Sequence, residues 1–473
     1  MKTVERLFKW LYPGMRVKRW LFLSWIGLAL FTVGIVLYVK FRWAYWIEAH
    51  VVRPFNDWTG NLVPFWAFHL LFMAVGLVLM VRGIQMWFRT IYGAVAPYGS
   101  PRLVDVMFER MALANSTSLV AVGGGTGLSS LLRGVKHYTS NITAVVAVSD
   151  DGGSSGRLRK DRGLLPPGDI RNCLVALADD DTMLGNLFQH RFAEGGELAG
   201  HSFGNLFLAA MTDVAGDFDK AIELSSKILA IRGKVLPGTL RQTSISAEFS
   251  DGTIVEGESE IPKQRKKIRR VWLSPSDCEA MPEVLAAIRE ADAIVLGPGS
   301  LYTSVLPNLL VRGVVEALAE ARGLRIYVCN VMTQPGETDG YTAADHLKSI
   351  FKHAGKRMID VALVNSEVPT KLAAQYEAEG AFPVEPDIDE IRRMGVRPVA
   401  ASLINETNLV RHDPDRLAQA IQRIMVAHLE RTAPSGATRR KIGWLSRYAR
   451  RREQETSSGE TAAVVAPLPA AEK

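Results

Sequence analysis

The sequence predicts an α/β protein with a Rossmann-like, doubly wound and mostly parallel sheet, which a two-helix transmembrane hairpin precedes. Two runs of about 20 apolar residues lie near the N-terminus, and this is the length that crosses a bilayer. Beyond residue 117, short continuous apolar runs alternate with helical patterns. Continuous apolar strands are typical of parallel sheets that are covered on both faces.

The hairpin is predicted for residues 1–82, with spans at about 20–39 and 62–81. The first span contains no charged residue, and the second contains only His69 as an ionisable group. The segment before the first span carries one acid, Glu5, and six basic residues: Lys2, Arg6, Lys9, Arg16, Lys18 and Arg19. Basic flanks favour the cytoplasmic side. We therefore expect a multi-pass protein of the inner or plasma membrane, with both termini and the large domain in the cytoplasm.

The net charge of the 473 residues is +7, which raises the question of a nucleic-acid partner. Much of the excess lies beside the spans or in the C-terminal tail. Attraction to the anionic inner leaflet explains that placement more simply. The sequence therefore predicts a membrane-associated protein without a nucleic-acid partner.

The rest of the chain divides by composition. Residues 83–117 are predicted to be a juxtamembrane linker with a short amphipathic helix at 102–113. Residues 118–430 form the α/β domain. The tail, 431–473, is predicted to be basic at first and then disordered. Within the domain, an Asp-Gly turn signal indicates a small antiparallel insert at about 235–275.

Parallel strands and intervening helices are predicted along the domain. The strands are expected at 118–122, 142–148, 293–296, 325–329 and 361–364. The helices are expected at 129–136, 205–214, 218–231, 278–290, 311–321 and 343–353.

A glycine run follows the first predicted strand at the phosphate-binding position of a Rossmann-like unit. Glycines allow backbone amides to approach a phosphate closely. The dinucleotide fingerprint fails at Leu128, and no Walker A triplet occurs, so neither nicotinamide dinucleotide nor a P-loop is indicated. A tight strand-to-helix turn without a ligand is the alternative. The residues of the run are Gly123, Gly124, Gly125, Thr126 and Gly127.

Two adjacent carboxylates, Asp150 and Asp151, follow the second strand. Such a pair can hold a divalent metal, for which Mg²⁺ is the candidate, or a ribose diol. The residues after the pair offer amides, a hydroxyl and a guanidinium suited to phosphate: Gly152, Gly153, Ser154 and Arg157.

Further polar residues follow later elements of the same domain. Asp169 could cap its own helix or face the cleft, together with Asn172. Ser202 could likewise be a cap. The carboxyl ends of parallel strands meet at one sheet edge, so we expect one nucleotide-sized cleft there. The remaining candidates are Asn205, Gly297, Gly299, Ser300 and Tyr302, and the Tyr302 side chain could stack on a base or hydrogen-bond a sugar.

Six segments together resemble the YvcK-type gluconeogenesis factors, which are relatives of the CofD-like 2-phospho-L-lactate transferases. They read GGGTGLS, SDDGGSSGRLR, PPGDIRN, HSFGNL, GPGSLYTSVLPNLL and NVMTQPGETDGY. The resemblance covers about residues 117–430. It implies a Rossmann-like fold and binding of UDP-sugars such as UDP-N-acetylglucosamine. It also implies support of cell-wall synthesis and cell shape during gluconeogenic growth.

The resemblance to the YvcK-type gluconeogenesis factors does not imply any established enzymatic activity. Transferase relatives carry a basic residue soon after the glycines, where this chain has Leu128, Ser129 and Ser130. The main hypothesis is therefore a membrane-tethered UDP-sugar-binding regulator, with cell-wall synthesis proteins and a second copy of the chain as candidate partners. The alternatives are a metal-dependent phosphotransferase and an NAD-dependent enzyme. No catalytic residue is assigned.

Overall fold

The computed structural model describes residues 17–39, 49–50, 53–58, 65–95, 113, 116–179, 183–193, 195–196, 198–406 and 409–432. The chain divides into two units, Met1–Glu109 and Arg110–Lys473. The amphipathic helix expected at 102–113 lies outside the described residues except for Leu113. The tail beyond Thr432 also lies outside them.

Among the described residues of the N-terminal unit there are three α-helices, α1 (Val17–Tyr38), α2 (Arg53–Trp58) and α3 (Phe65–Val95). Within α1 and α3, Arg19–Tyr38 and Ala67–Thr90 are long and apolar enough to cross a membrane. Only 17% of the apolar window in each of them is buried. The two helices pack antiparallel through glycines, because a Cβ on Gly27 would collide with the backbone of Met80. Length and composition thus agree with the predicted hairpin.

The helix α3, which contains the second apolar span, is longer than predicted. It begins at Phe65 rather than residue 62 and continues to Val95, well beyond residue 81. Residues 83–95, which we expected to belong to the linker, are therefore helical. The physical reason is that no proline interrupts this stretch, and its apolar and long polar side chains tolerate a helix.

The second unit is built on a seven-stranded parallel sheet within the described residues, with the order β10-β9-β8-β7-β1-β2-β3. The strand bounds are β1 Leu119–Gly123, β2 Ile142–Val146, β3 Lys234–Pro237, β7 Ala293–Leu296, β8 Leu324–Val328, β9 Val361–Asn365 and β10 Arg397–Ala401. This confirms the predicted fold class. From β1 to β3 each new strand is added on one side of the sheet, and from β7 to β10 each is added on the other side. The strand order therefore reverses between β1 and β7.

Both faces of the sheet are buried. Along β1, Val120 and Val122 pack into one hydrophobic core, whereas Leu119 and Ala121 pack into a second core on the opposite face. Successive side chains of a strand point to opposite faces, so a strand between two cores needs apolar residues at every position. This requirement explains the continuous apolar runs in the sequence.

Helices cover the two faces and connect the strands. They are α4 Gly125–Val135, α5 Gly153–Arg162, α6 Gly168–Leu177, α7 Met183–Gln189, α8 Phe203–Ala215, α9 Phe218–Ile228, α10 Pro282–Glu290, α11 Leu306–Leu310, α12 Val314–Glu320, α13 Ala343–Ala354, α14 Ala373–Glu379, α15 Ile388–Arg393 and α16 Pro414–Thr432. A short π-helix, Leu301–Val305, precedes α11, and a 3₁₀ turn, Pro262–Gln264, lies in the insert.

The antiparallel insert is smaller than predicted. Its strands are β4 Ser244–Phe249, β5 Ile254–Glu256 and β6 Ile268–Ser274, in the order β5-β4-β6. Lys234–Pro237, which we expected to begin the insert, pairs in parallel with β2 and forms the edge of the main sheet. A strand of four residues has too short a pattern of apolar residues to show whether it belongs to the main sheet or to the insert.

A short antiparallel hairpin joins β11 (Ile404–Glu406) to β12 (Val410–His412), and α16 follows it. Neither this hairpin nor β10 was predicted. All three strands are short, and β10 has only partly buried or exposed residues, so none produces a continuous apolar run.

Candidate functional site

A cleft lies at the carboxyl ends of β1, β7 and β8, next to the point where the strand order reverses. This is where open parallel sheets bind ligands. The cavity measures about 490 Å³, within the usual range for small-molecule sites. Its walls come from residues 124–127, 298–300, 303–304, 330–335, 337 and 410–412, with Ser130, Glu258, Tyr376, Glu379 and Ala381.

The glycine run forms one wall and begins α4 at Gly125, four residues earlier than predicted. Gly125 has a φ of 62°, which a side chain would strain. A Cβ on Gly127 would lie 2.5 Å from the carbonyl oxygen of Pro298. The run therefore lets the first loop pack directly against the loop that follows β7.

Asp169 approaches the same loop from α6. Its Oδ2 accepts a hydrogen bond from the Gly125 amide at 2.6 Å, and a Cβ on Gly124 would lie 2.7 Å from that oxygen. Asp169 does not cap its own helix, whose N-cap is Pro167. Burial raises the pKa of Asp169 to about 6, although the Gly125 bond opposes that shift. The first amide of α4 is thus already bound to a carboxylate of the protein.

The loop after β7 is held by side chains that follow β8. Ser300 donates a hydrogen bond to Glu337, Thr303 donates to the Ser300 hydroxyl at 2.7 Å, and the Gly299 amide donates to Asn330 at 3.2 Å. Burial raises the pKa of Glu337, and the Ser300 bond opposes that effect. These contacts fix a polar floor for the cleft.

Glu258 reaches the cleft from the antiparallel insert. The next residue, Ser259, donates its amide to Asp151 Oδ1 at 2.9 Å, which ties the insert to the end of β2. Burial raises the pKa of Glu258 well above its usual range, and the neighbouring Asp150 and Asp169 carboxylates add to the shift. Sequence reasoning missed Glu258, because no local motif distinguishes it from other surface acids.

The opposite wall is formed by Tyr376 of α14 and by β12. The Val410 amide donates to the Tyr376 hydroxyl at 3.1 Å, which holds the ring against the strand. Arg411 is exposed in the cleft and forms no ion pair with any residue that the structure describes. Burial lowers the pKa of His412 to about 4, so this histidine is neutral at physiological pH. None of these residues was predicted, because a three-residue strand leaves no pattern.

A second polar group surrounds the N-terminus of α5. Asn205 donates to Ser154 at 3.1 Å, and the Ser154 hydroxyl lies 3.0 Å from Nδ1 of His201. Arg171, which is 7% exposed, donates to Ser202 and to Asn205, the latter at 2.9 Å. Ser202 caps α8 by accepting from the Asn205 amide at 3.2 Å. The group is a buried network that joins α5, α6 and α8.

The predicted site residues thus fall into two sets. Those that line the cleft are Gly124, Gly125, Thr126, Gly127, Gly299 and Ser300. Those that do not line this cavity are Gly123, Asp150, Asp151, Gly152, Gly153, Ser154, Arg157, Asp169, Asn172, Ser202, Asn205, Gly297 and Tyr302.

Tyr302 requires a correction. Its side chain is 2% exposed and packs in the core, and its hydroxyl lies 2.8 Å from that of Tyr341 and 3.3 Å from that of Ser349. The π-helix turns the ring away from the cleft and toward α13, so Tyr302 does not offer a surface to a base or sugar.

The two carboxylates expected to hold Mg²⁺ are engaged separately. Asp150 accepts from the Gly152 amide at 2.9 Å, while Asp151 accepts from Ser259. Among the described residues, no group of three or more histidine, cysteine or acidic side chains is arranged to hold a metal ion. The geometry therefore gives no support to a metal centre built by this pair.

Comparisons with known proteins agree with this architecture. The family model for the 2-phospho-L-lactate transferase CofD matches residues 119–404. A relative from Nostoc sp. is 46% identical over 422 residues, which are 88% of this chain and 92% of the relative. The gluconeogenesis factor of Bacillus subtilis is 50% identical over 311 residues and covers 65% of this chain. A crystal structure of a UPF0052 family member from Bacillus halodurans superposes with a TM-score of 0.63, at 51% identity, over 65% of this chain and 99% of its own.

Proposed function

The chain belongs to the CofD family, within a branch of gluconeogenesis factors, and we propose that it is a membrane-tethered regulator that binds a nucleotide sugar of the UDP-N-acetylglucosamine type. The observation that carries the proposal is the cleft at the strand-order reversal, which is lined by glycine-rich loops and by Arg411, an arginine without an ion pair among the described residues. A ligand with a diphosphate between two polar groups matches such a cleft.

The parts of the cleft correspond to the parts of this ligand. The Gly125 amide is bound to Asp169, but the next backbone amides in the first turn of α4, those of Thr126 and Gly127, can donate to the diphosphate. Arg411 supplies the positive charge, since a guanidinium pairs well with phosphate. The Tyr376 ring offers an apolar face to a base or sugar, while Asn330 and Gln334 offer amide groups to hydroxyls. A volume of about 490 Å³ suits a ligand of this size.

The regulatory part of the proposal rests on the relatives and on the hairpin. Relatives that share this α/β domain are named gluconeogenesis factors. Two N-terminal helices are long and apolar enough to hold the chain at a membrane. We propose that the domain lies on the cytoplasmic side, where nucleotide sugars are made, and that it links carbon supply during gluconeogenic growth to cell-wall synthesis and cell shape.

Calorimetry on the full chain in detergent micelles tests the proposal. UDP-N-acetylglucosamine is titrated into the protein, and the same samples are then held with Mg²⁺ and examined for products by chromatography. Saturable binding with intact ligand is the expected result. The absence of measurable binding of this and other UDP-sugars would contradict the proposal.

A phosphotransferase is the second candidate, and the carboxylates beside the glycine run favour it. Asp150, Asp169, Glu258 and Glu337 lie near one another, as groups that move protons or bind metals do. Release of UDP or UMP in the experiment above would support this candidate. If so, Asp150→Asn should abolish product formation while thermal unfolding shows that the domain remains folded.

A further inference from the structure

Among the described residues, Glu258 is the one member of the cleft lining that the antiparallel insert supplies. Its backbone is fixed on both sides. Gly257 donates its amide to Ile245 in β4 at 2.8 Å, and the Ser259 amide binds Asp151. The side chain is therefore presented to the cleft by a fixed loop.

Four other carboxylates surround Glu258, and each already accepts a hydrogen bond. Asp150 accepts from Gly152, Asp151 from Ser259, Asp169 from Gly125, and Glu337 from Ser300. Hydrogen bonds to a carboxylate favour its charged form. These four groups are thus stabilised as acceptors, and three of them are held by backbone amides.

Glu258 differs from these four. Its one described hydrogen-bond contact is with the Ser149 hydroxyl at 3.5 Å, the outer limit for such a bond, and no cation in the described part of the chain pairs with it. Carboxylates that share a site cannot all ionise, and the proton goes to the group whose charge is least stabilised. On this criterion the proton belongs on Glu258.

We propose that Glu258 is protonated in the resting cleft and donates its O–H to a phosphate oxygen of the bound ligand, so that it positions the diphosphate against the glycine run. This inference rests on the proposed function, because it requires an anionic ligand. It resolves a conflict in the cleft, where an anion would otherwise face an uncompensated carboxylate.

The other charged groups around the cleft agree with this assignment. Burial raises the pKa of Glu258, and the four surrounding carboxylates raise it further. His412 is neutral near pH 7, and Arg411 is a permanent cation on the opposite wall. A divalent cation is the competing way to neutralise the cluster, but the described residues contain no three-donor metal group.

Infrared spectroscopy tests the protonation without any ligand. The full chain in micelles is compared with Glu258→Gln and with a control, Glu260→Gln. Glu260 lies two residues away, is exposed and pairs with Lys263. A carbonyl band of a protonated carboxyl near pH 7 should disappear in Glu258→Gln and persist in Glu260→Gln. Absence of such a difference overturns the inference, whether or not a nucleotide sugar binds.

Affinity for UDP-N-acetylglucosamine as a function of pH tests the donor role. The diphosphate diester does not titrate between about pH 7 and about pH 9, and Asp169 is ionised throughout that range. Wild-type and Glu260→Gln affinity should fall as pH rises through the pKa of Glu258, whereas Glu258→Gln, which keeps a neutral donor, should lose this dependence. Glu258→Ala should bind about 10-fold to 100-fold more weakly near pH 7.

Two results would contradict the donor role. One is a Glu258→Gln variant that keeps the wild-type pH dependence. The other is wild-type binding that requires Mg²⁺ and disappears with a chelator, because a cation would then neutralise the cluster. If the wild type binds no UDP-sugar at all, the proposed function and the donor role both fail, and the infrared result still decides whether Glu258 holds the proton.

Discussion

The carboxylate of Asp169 binds the amide of Gly125 at 2.6 Å, so the helix that follows the glycine run begins on an acid from a neighbouring helix. The pKa of Asp169 is about 6 in the folded protein, against an ordinary value of 3.8 for an aspartate side chain. The folded state therefore holds this proton more tightly than the unfolded chain. The contribution of Asp169 to the free energy of unfolding increases by about 2 kcal/mol as pH falls from about 6 to about 4.

Asp169→Asn should remove that increase, because asparagine is neutral at every pH. Thermal unfolding of wild type and variant, followed from about pH 7 to about pH 4, measures the difference. Asp389→Asn is the control, since this carboxylate lies on the surface of α15 and pairs with Arg392. A variant whose stability changes with pH as the wild type does would show that Asp169 does not titrate in this range.

Arg411→Ala should weaken UDP-N-acetylglucosamine binding by about 10-fold or more, because the described cleft then loses its unpaired guanidinium. Its thermal stability should stay near that of the wild type, since no described ion pair depends on Arg411. Arg322→Ala, at an exposed position outside the cleft, is the matched control for calorimetry. Equal affinities of the two variants would remove Arg411 from the binding site.

Gly127→Ala should destabilise the domain by about 1–3 kcal/mol and weaken ligand binding. The new methyl would lie 2.5 Å from the carbonyl oxygen of Pro298, and backbone on both sides must move to accept it. Gly185→Ala is the control, because its nearest neighbour is a Val175 methyl at an ordinary 3.4 Å. Thermal unfolding and calorimetry on both variants separate the close contact from a general effect of the substitution.

Acid should loosen the insert through His353. Its Nε2 accepts from the Val271 amide at 3.1 Å, while Nδ1 donates to the Ser349 carbonyl at 2.8 Å, so only the neutral ring makes both bonds. Burial lowers its pKa, so the contribution of His353 to stability is present above about pH 6.5 and is lost as pH falls below it. Hydrogen exchange of Ile268–Ser274, compared with the central strand Ala293–Leu296, should show a selective loss of protection.

The proposed membrane orientation predicts labelling of single cysteines by an impermeant reagent in intact cells. A cysteine in the loop between α1 and α3 should react from outside, and one in the N-terminal segment should not. The native Cys173, Cys278 and Cys329 are buried in the α/β domain and should remain unlabelled. Labelling of the N-terminal segment alone would reverse the orientation.

The sequence predicted the parallel sheet because its strands face two cores and are apolar throughout. It also predicted the glycine loops at the ends of β1 and β7, since their composition is local. It could not predict Glu258, Tyr376 or Arg411, which reach the cleft only through tertiary contacts and lie on elements that are too short to leave a periodic pattern. Tyr302 was assigned wrongly because its side-chain direction depends on a π-helix that no spacing rule predicts.

The pairing of β1 with β7 joins residues 174 positions apart, such as Leu119 and Ala293. During synthesis, the ribosome completes β1, β2 and β3 long before β7 leaves the exit tunnel. At about 5–20 residues per second, β7 follows β1 by roughly 9–35 s, and throughout this delay one edge of β1 has no partner. The nascent chain then exposes apolar strand surface, and it holds one wall of the cleft without the other. Ligand can therefore engage only a chain that has been translated beyond β12, so the binding site is among the last parts of the domain to be completed.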